Sequence, residues 1–204
     1  MTERLLTGEP GSEVWRSGAI SVHVLDPAAD VDVLHAWVTG PNAAFFGLGA
    51  LTRDELRETY EFVASLPTHH AYLVRDAGEP VAMVQLYHPE DDPVAAAYDV
   101  EPGDVGAHFF LGSRRSGWPA LGPALLAFGF ALPAVRRIVV EPDVRHRAAI
   151  ARMVAMGFEP AGEIHFESPH GPKDAMLAFL TRERALALSR GRPTSREVGG
   201  STAR

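Results

Sequence analysis

Residues 138–158 read IVVEPDVRHRAAIARMVAMGF, and this stretch predicts a strand, a turn and a helix in direct succession. The β-branched run Ile138–Val140 favours a strand. Glu141-Pro142 ends it, since proline fixes the direction of the chain. A helical segment follows and closes on Gly157, a residue typical of helix ends. The pattern therefore places the Glu141 carboxylate at the carboxyl end of a strand, where ligands bind in open α/β sheets.

A second strand-like run, Val105–Leu111, carries His108 among apolar neighbours. His108 has two interpretations, a core histidine bonded to backbone or an imidazole that holds a ligand or accepts a proton near neutral pH. Glu141 is either a structural carboxylate that caps the next helix or pairs with Arg145, or a general base whose pKa is raised by partial burial. We favour the functional interpretation of Glu141, since burying a carboxylate at the end of an inner strand costs free energy and usually reflects a functional role.

The bulk composition is that of an ordinary globular protein. The chain has 204 residues, of which 46% are hydrophobic and 22% charged, and it contains no cysteine. Disulfides, thiolate zinc sites and a cysteine nucleophile are thereby excluded. The net charge of −7 argues against a general nucleic-acid binder. No stretch approaches the roughly 20 apolar residues of a membrane span, so we expect a cytoplasmic protein without a membrane partner.

The chain alternates strands and helices, which indicates an α/β or α+β fold with a mixed sheet. We expect one domain over residues 19–188, a loose segment over 1–18 and a disordered tail over 189–204. The predicted strands are Ala19–Leu25, Ala71–Val74, Val81–Tyr87, Val105–Leu111, Arg136–Val140, Glu163–Phe166 and Ala175–Leu180, and the predicted helices are Asp30–Thr39, Thr52–Ser65, Ala120–Ala131 and His146–Met156.

The segment Gly112–Gly122, GSRRSGWPALG, leads from the His108 strand into a buried helix. Backbone N–H groups at a helix start, with Arg114 and Arg115 nearby, favour phosphate. The alternative is a plain polar turn. The remaining histidines show no metal-ligand spacing with acids, and we expect no metal site. The aromatic residues that either line a pocket for an aliphatic chain or belong to the core are Trp37, Phe45, Phe46 and Tyr87.

Two strings resemble the GNAT acyl-CoA N-acyltransferase superfamily, and within it the siderophore-biosynthesis branch that acylates N-hydroxylated lysine, ornithine or cadaverine. They are EPGDVGAHFFLG (Glu101–Gly112) and RRIVVEPDVRHRAAIARMVAMGF (Arg136–Phe158). HAWVTGPNAAFF (His35–Phe46) and QLYHPEDD (Gln85–Asp92) agree more loosely with the same branch. The resemblance extends from about Leu25 to Leu180.

This resemblance implies a mixed sheet that splays between its fourth and fifth strands, with acyl-CoA in the opening and no metal. By position, Glu141 matches the family's general base and His108 the histidine that holds the hydroxyamine. The other positions carried over are, for acyl-CoA, Leu111, Gly112, Arg114, Arg115, Ser116, Gly117, Gly122 and His146, and, for the amine substrate, Trp37, Phe46, Gln85 and Tyr87.

Two departures from the family pattern stand out. The phosphate loop usually reads R-G-x-G, whereas here Trp118-Pro119 stands where small residues let backbone amides approach phosphate. His146 stands where an asparagine commonly contacts the pantetheine arm.

The resemblance and the residues together predict direct acyl transfer from a CoA thioester to a hydroxyamine, with Glu141 as base and His108 orienting or sharing the proton. Two alternatives stay open: a GNAT enzyme acting on another amine, such as an aminoglycoside, a polyamine or a protein amino terminus, and a non-catalytic acyl-CoA-binding module. The sequence leaves the oligomeric state and the acyl group open. The acidic residues that would either suit a cationic acceptor or form an exposed loop are Glu90, Asp91, Asp92, Asp99, Glu101 and Asp104.

Overall fold

A computed structural model describes residues 3–40, 43, 45, 47–113, 117–168 and 171–190. Its described elements are eight strands and five α-helices, with short 3-10 turns at Pro89–Asp91 and Pro93–Ala96. In chain order they are β1 Glu13–Ser17, β2 Ile20–Val24, α1 Pro27–Val38, α2 Arg53–Ser65, β3 His69–Asp76, β4 Glu79–Tyr87, β5 Asp104–Leu111, α3 Trp118–Gly129, β6 Arg137–Val140, α4 Arg147–Ala155, β7 Glu159–Ser168, β8 Gly171–Thr181 and α5 Arg182–Arg190.

The structure confirms two helix boundaries predicted from the sequence, the start of α2 and the end of α4. Thr52 caps α2, and the Glu55 carboxylate accepts a hydrogen bond from the Thr52 backbone N–H at 2.8 Å, which completes the capping box. Gly157 follows α4 with a φ of +99°. The N–H groups of Gly157 and Phe158 donate to carbonyls of the last turn, the pairing of a Schellman motif.

The amino-terminal segment differs from its prediction. The sequence predicts a loose segment over residues 1–18, but β1 pairs with β2 and Leu5 is 3% exposed. The Tyr72 hydroxyl donates a hydrogen bond to the Leu6 carbonyl at 2.7 Å. The segment is polar on average, but its few apolar side chains pack against the core that covers the sheet. The prediction from average composition is therefore wrong for this segment.

The carboxyl-terminal end also differs from its prediction where the structure describes it. The helix α5 continues to Arg190, so the first two residues of the predicted tail, Ser189 and Arg190, are helical. Residues 191–204, the rest of that predicted tail, lie outside the described part of the chain.

One mixed sheet organises the fold, in the order β1-β2-β3-β4-β5-β6-β8-β7. Among the described strand pairs, only β5–β6 is parallel. One core packs α3 against the sheet, and a second core packs α1 and α2. The predicted fold class, a mixed sheet with flanking helices, is confirmed.

The sheet opens between β5 and β6. Their pairing begins at Asp104–Arg137 and ends at Gly106–Val139, and β5 then continues to Leu111 away from β6. The resemblance places this opening between the fourth and fifth strands. It lies between the fifth and sixth here, because the unpredicted β1 adds one strand before them. Within the described ranges, no helix has the length and apolar character needed to span a membrane.

Candidate active site

A cavity of about 1220 Å³ occupies the opening between β5 and β6. Residues 107–113 line one side, and residues 140–146 line the other. Side chains of α3 and α4, among them Leu125 and Met153, form part of the wall. The divergence of two parallel strands therefore creates a concave site large enough for a small-molecule ligand.

His108 and Glu141 meet at this opening. His108 lies on β5 beyond the last β5–β6 pair, and Glu141 directly follows the last residue of β6. The His108 Nε2 atom is 2.5 Å from Glu141 Oε1. The structure thus brings together the two residues that the sequence singles out, although they are 33 positions apart in the chain.

Two further side chains contact the Glu141 carboxylate. The Tyr87 hydroxyl donates to Oε2 at 3.0 Å, and the Lys173 ammonium donates to Oε1 at 3.2 Å. Glu141 is 3% exposed, and a carboxylate so deeply buried needs such partners. The predicted structural alternative, a pair with Arg145, is wrong, because Arg145 pairs with Asp143 instead.

Gly106 explains how Tyr87 reaches Glu141. Gly106 and Tyr87 are paired neighbours on β5 and β4, and a Cβ at position 106 would lie 2.1 Å from the Tyr87 ring. Any larger residue there would displace the tyrosine. The His69 ring stacks on the same tyrosine, with 5.5 Å between centroids, which further restricts its orientation.

The pKa of Glu141 moves in the direction opposite to the prediction. Burial alone raises this pKa, as the sequence interpretation assumes. The charge and hydrogen bond of His108, followed by those of Lys173, outweigh burial and lower the pKa to about 2. Glu141 is therefore a carboxylate at neutral pH and a weak base by itself.

His108 and Glu141 differ in their exposure to solvent. The side chain of His108 is 35% exposed and lines the cavity, whereas the Glu141 carboxylate lies behind it. A molecule in the cavity therefore meets the imidazole first. The arrangement can accept a proton at His108 and stabilise the resulting imidazolium through Glu141.

The predicted phosphate loop is described only in part. Gly112, its first residue, and Leu111, which precedes it at the end of β5, line the cavity. The three positions that lie outside the described residues are Arg114, Arg115 and Ser116.

Two further positions predicted to contact CoA, Gly117 and Gly122, lie at the start of α3 and within it, and neither is among the described residues that line the cavity. Gly117 stands at the N-cap of α3, and Pro119 removes one N–H from the first turn. Gly122 is buried beside the Trp118 indole and is not among the described residues that line the cavity. The predicted contact of Gly122 with CoA therefore has no support from the geometry.

The predicted substrate-binding residues do not form one group. Gln85 lines the cavity and is paired with His108 across β4 and β5. Tyr87 is buried against Glu141 instead of lining a pocket. Phe46 lies outside the described residues.

Trp37, the fourth predicted substrate residue, has a packing role. Its indole stacks on Phe110 and covers Gly112, where a Cβ would lie 2.0 Å from the indole. Trp37 is not among the described residues that line the cavity. It therefore packs α1 against β5.

His146 lines the cavity and stacks on Phe45, with centroids 4.5 Å apart and planes 15° apart. It precedes α4 but makes no side-chain capping bond. Partial burial, followed by the charge of Arg152, lowers the pKa of His146, so its neutral form is favoured. The position where the resemblance implies an asparagine therefore carries an aromatic contact at the edge of the cavity.

Two cationic residues of the cavity were not predicted from the sequence. Lys173 reaches Glu141 from β8, and the Arg152 guanidinium of α4 lies 5.9 Å from the centre of the Trp118 ring. No spacing rule marks either residue, because each contacts its neighbour across the fold and not along one element.

Most of the acidic residues considered for a cationic acceptor have structural partners. Asp104 and Glu101 pair with Arg137, and Glu90 pairs with Arg4. Asp92 Oδ2 lies 3.5 Å from His69 Nε2, and Asp91 Oδ2 lies 4.0 Å from His88 Nδ1. Of this acidic set, the described members that line the cavity are Asp91 and Asp92.

His88, Glu90 and Asp91 bring possible metal-ligand atoms within 4.8 Å of one another, a grouping that the sequence interpretation did not identify. The Arg4 guanidinium already binds the Glu90 carboxylate there. A fixed positive charge at that carboxylate disfavours a cation.

The acetyltransferase (GNAT) domain family matches residues 26–166. Lysine N-acyltransferase MbtK of Mycobacterium sp. (strain MCS) is 27% identical over 133 residues, which are 61% of this chain and 53% of that protein. MbtK of Mycobacterium tuberculosis (strain ATCC 25618 / H37Rv) is 29% identical over 128 residues, 58% of this chain and 59% of that protein. The chain thus spans little more than half the length of these curated relatives.

Two solved structures share the fold. A protein of Bacillus halodurans superposes with a TM-score of 0.73 at 23% identity, over 82% of this chain and 86% of that one. Aminoglycoside acetyltransferase AAC(6')-Ib in complex with coenzyme A gives a TM-score of 0.65 at 23% identity, over 84% and 99%. At this identity the likeness concerns the fold alone. Because the family match covers more than half of the sequence, the chain belongs to the acetyltransferase (GNAT) domain family.

Proposed function

We propose that this protein is an acyl-CoA-dependent N-acyltransferase that transfers an acetyl or other acyl group to an N-hydroxylated amine in siderophore biosynthesis. The acceptor would be of the hydroxylysine, hydroxyornithine or hydroxycadaverine type, and the product a hydroxamate used in iron acquisition. The observation that carries the proposal is the His108–Glu141 pair at the mouth of the diverging strands. Family membership and the relatives named lysine N-acyltransferase support it.

The opening between β5 and β6 suits an acyl thioester. Beyond Gly106 the edge of β5 no longer pairs with β6, so backbone N–H groups on that edge can donate to a thioester oxygen. Apolar side chains such as Leu125, Phe128 and Met153 line the cavity and can contact the acyl group. Arg152 adds a positive charge to the same cavity, which would favour the phosphates of CoA.

The proposed step is a direct transfer in a ternary complex. The acceptor nitrogen attacks the thioester carbon, the carbon–sulfur bond breaks, and the CoA thiolate leaves and takes up the proton that the acceptor nitrogen has lost. His108 Nε2 is engaged with Glu141, so Nδ1 is the nitrogen that would take the proton lost by the acceptor. Glu141 would then hold the imidazolium as its counter-ion. In this proposal His108 is the base, and Glu141, which the sequence predicts to be the base, stabilises the protonated His108.

The test is turnover of matched acceptor pairs. The full chain is assayed for CoA release with acetyl-CoA and longer acyl-CoA thioesters, using N-hydroxylysine, N-hydroxyornithine and N-hydroxycadaverine beside their parent amines. We expect kcat/KM for at least one hydroxyamine to exceed that of its parent at least about tenfold. Equal or higher turnover of every parent amine would contradict the proposal.

A second acceptor class is favoured by one observation. Asp91 and Asp92 line the cavity and could bind an acceptor with several cationic groups, such as a polyamine or an aminoglycoside. Spermidine and kanamycin therefore belong in the same assay. Turnover of either one, with no turnover of a hydroxyamine, would assign the protein to that class instead.

A further inference from the structure

Lys173 lines the cavity and binds the Glu141 carboxylate. It lies near the start of β8, its side chain is 27% exposed, and its Nζ atom is 3.2 Å from Glu141 Oε1. The ammonium also lies 5.5 Å from the centre of the Phe166 ring, which favours its position through a cation–π contact. Lys173 is therefore a positive charge that lines the cavity and is paired with the buried carboxylate.

The acids beside Lys173 have partners of their own. Asp143 pairs with Arg145, and Asp174 pairs with His165 at 2.7 Å. Glu141 is thus the carboxylate that binds the Lys173 ammonium in the described structure.

The Glu141 carboxylate is occupied on both oxygens. Oε1 accepts from Lys173 and contacts His108, and Oε2 accepts from the Tyr87 hydroxyl. Because Glu141 is almost fully buried, an acceptor ammonium could reach it only by displacing Lys173 or His108. Glu141 is therefore a poor anchor for a positively charged reacting nitrogen.

We propose that Lys173 is a specificity-determining residue that disfavours acceptors whose reacting nitrogen is protonated and so favours a nitrogen that is neutral at neutral pH. This inference rests on the proposed function and names the chemical property of the acceptor that the site selects. Like charges a few ångström apart repel, and they do so more strongly beside a protein wall than in bulk water. A cationic group remote from the reacting nitrogen is not subject to this selection.

The acceptor pairs differ in this property. An alkylamine has a pKa of about 10.4, so only on the order of one molecule in a thousand is neutral at about pH 7. A hydroxyamine is much less basic and is largely neutral at the same pH. A positive charge beside the His108–Glu141 pair therefore separates a hydroxyamine from its parent amine without any contact to the hydroxyl group.

The test uses Lys173→Met, which keeps much of the length of the side chain but removes its charge, and Lys173→Arg, which keeps the charge. Binding of cadaverine at neutral pH is measured by calorimetry, and kcat/KM is measured for cadaverine and N-hydroxycadaverine. In Lys173→Met we expect cadaverine to bind at least about tenfold more tightly than in the wild type, and the preference for the hydroxyamine to fall at least about tenfold. Lys173→Arg should keep both values within about threefold.

The two proposals fail in different ways. Unchanged cadaverine binding in a folded Lys173→Met protein would overturn the role of Lys173, whatever the enzyme turns over. Absence of hydroxyamine turnover in the wild type would overturn the proposed function, while the binding measurement still decides the role of Lys173. Thermal unfolding of both variants verifies that each one is folded.

Discussion

Two buried carboxylates, Asp104 and Glu141, lie at opposite ends of the β5–β6 pair. Asp104 is at the end where the strands are paired, and Glu141 is at the end where they separate. Both are almost fully buried, at 1% and 3% exposed. The two carboxylates differ in the side chains that pair with them and in whether a cavity lies beside them.

Asp104 is held by a closed set of donors. Arg137 donates to its two oxygens at 2.7 and 2.8 Å, and the Tyr98 hydroxyl and Glu101 N–H complete the set. The guanidinium also lies over the Phe179 ring at 4.2 Å. Arginine keeps its proton at all relevant pH values, so this pair has a constant charge.

Glu141 has partners of another kind. His108 is an imidazole, a side chain suited to proton transfer, and it faces a cavity. Burial and pairing of a carboxylate do not by themselves indicate chemistry. The two ends of the strand pair differ because Glu141 is paired with an imidazole that lines a cavity, whereas Asp104 is paired with a partly buried arginine.

The largest expected effect concerns catalysis. We expect Glu141→Gln to lower kcat/KM for the best acceptor by about 10² to 10⁴, because the imidazolium formed at His108 would lose its counter-ion and proton transfer to His108 would be impaired. Asp104→Asn, which neutralises the other buried acid, should leave kcat/KM of the folded enzyme within a few-fold. A similar loss of kcat/KM in both variants would contradict the conclusion that Glu141 has a catalytic role and Asp104 a structural one.

The next effect concerns the free energy of unfolding, and we expect the larger loss at the paired end of the strands, where Asp104 lies. Arg137→Met leaves the Asp104 charge without its main partner, and we expect a loss of about 3–5 kcal/mol in the free energy of unfolding. Glu141→Gln should cost less, about 1–2 kcal/mol, because an amide can still accept from Tyr87. Urea denaturation of the two variants and the wild type measures both values, and the reverse ranking would contradict this account.

The smallest effect concerns pH. The pKa of Glu141 is lowered in the folded protein, to about 2 from an ordinary value of 4.5, so the native state binds fewer protons than the unfolded state between these values. Stability from this group is therefore present above a pH of about 4.5 and is lost as the pH falls toward about 2. The difference in unfolding free energy between wild type and Glu141→Gln should shrink over that interval. A difference that stays constant from about pH 6 to about pH 3 would show that the pKa is not lowered.

Much of the fold follows from local signals in the chain. The capping box at Thr52 and Glu55 and the left-handed Gly157 depend on residues within one turn of each other, so the sequence predicts them. The strand β1 escapes prediction, because it is short and mostly exposed and its composition resembles a loop.

The candidate site is predicted less completely, for a physical reason. His108 and Glu141 stand out because each belongs to an apolar strand-like run or directly follows one, and the structure brings them together. The predicted direction of the Glu141 pKa is wrong, because burial is visible in an apolar sequence whereas the neighbouring positive charges are not. Lys173 is missed, since it reaches the site from a strand that carries no motif.

The order of most strands and helices, the helix caps and the family resemblance can be read from the chain, since they depend on neighbouring residues and on an ordered set of motifs. Which carboxylate is structural and which one lies beside a cavity is known only from the folded arrangement. Tyr87, His108 and Lys173 come from three strands to surround Glu141. The charge state of a buried acid depends on such distant donors, and the spacing of residues along the chain does not specify which of them will meet.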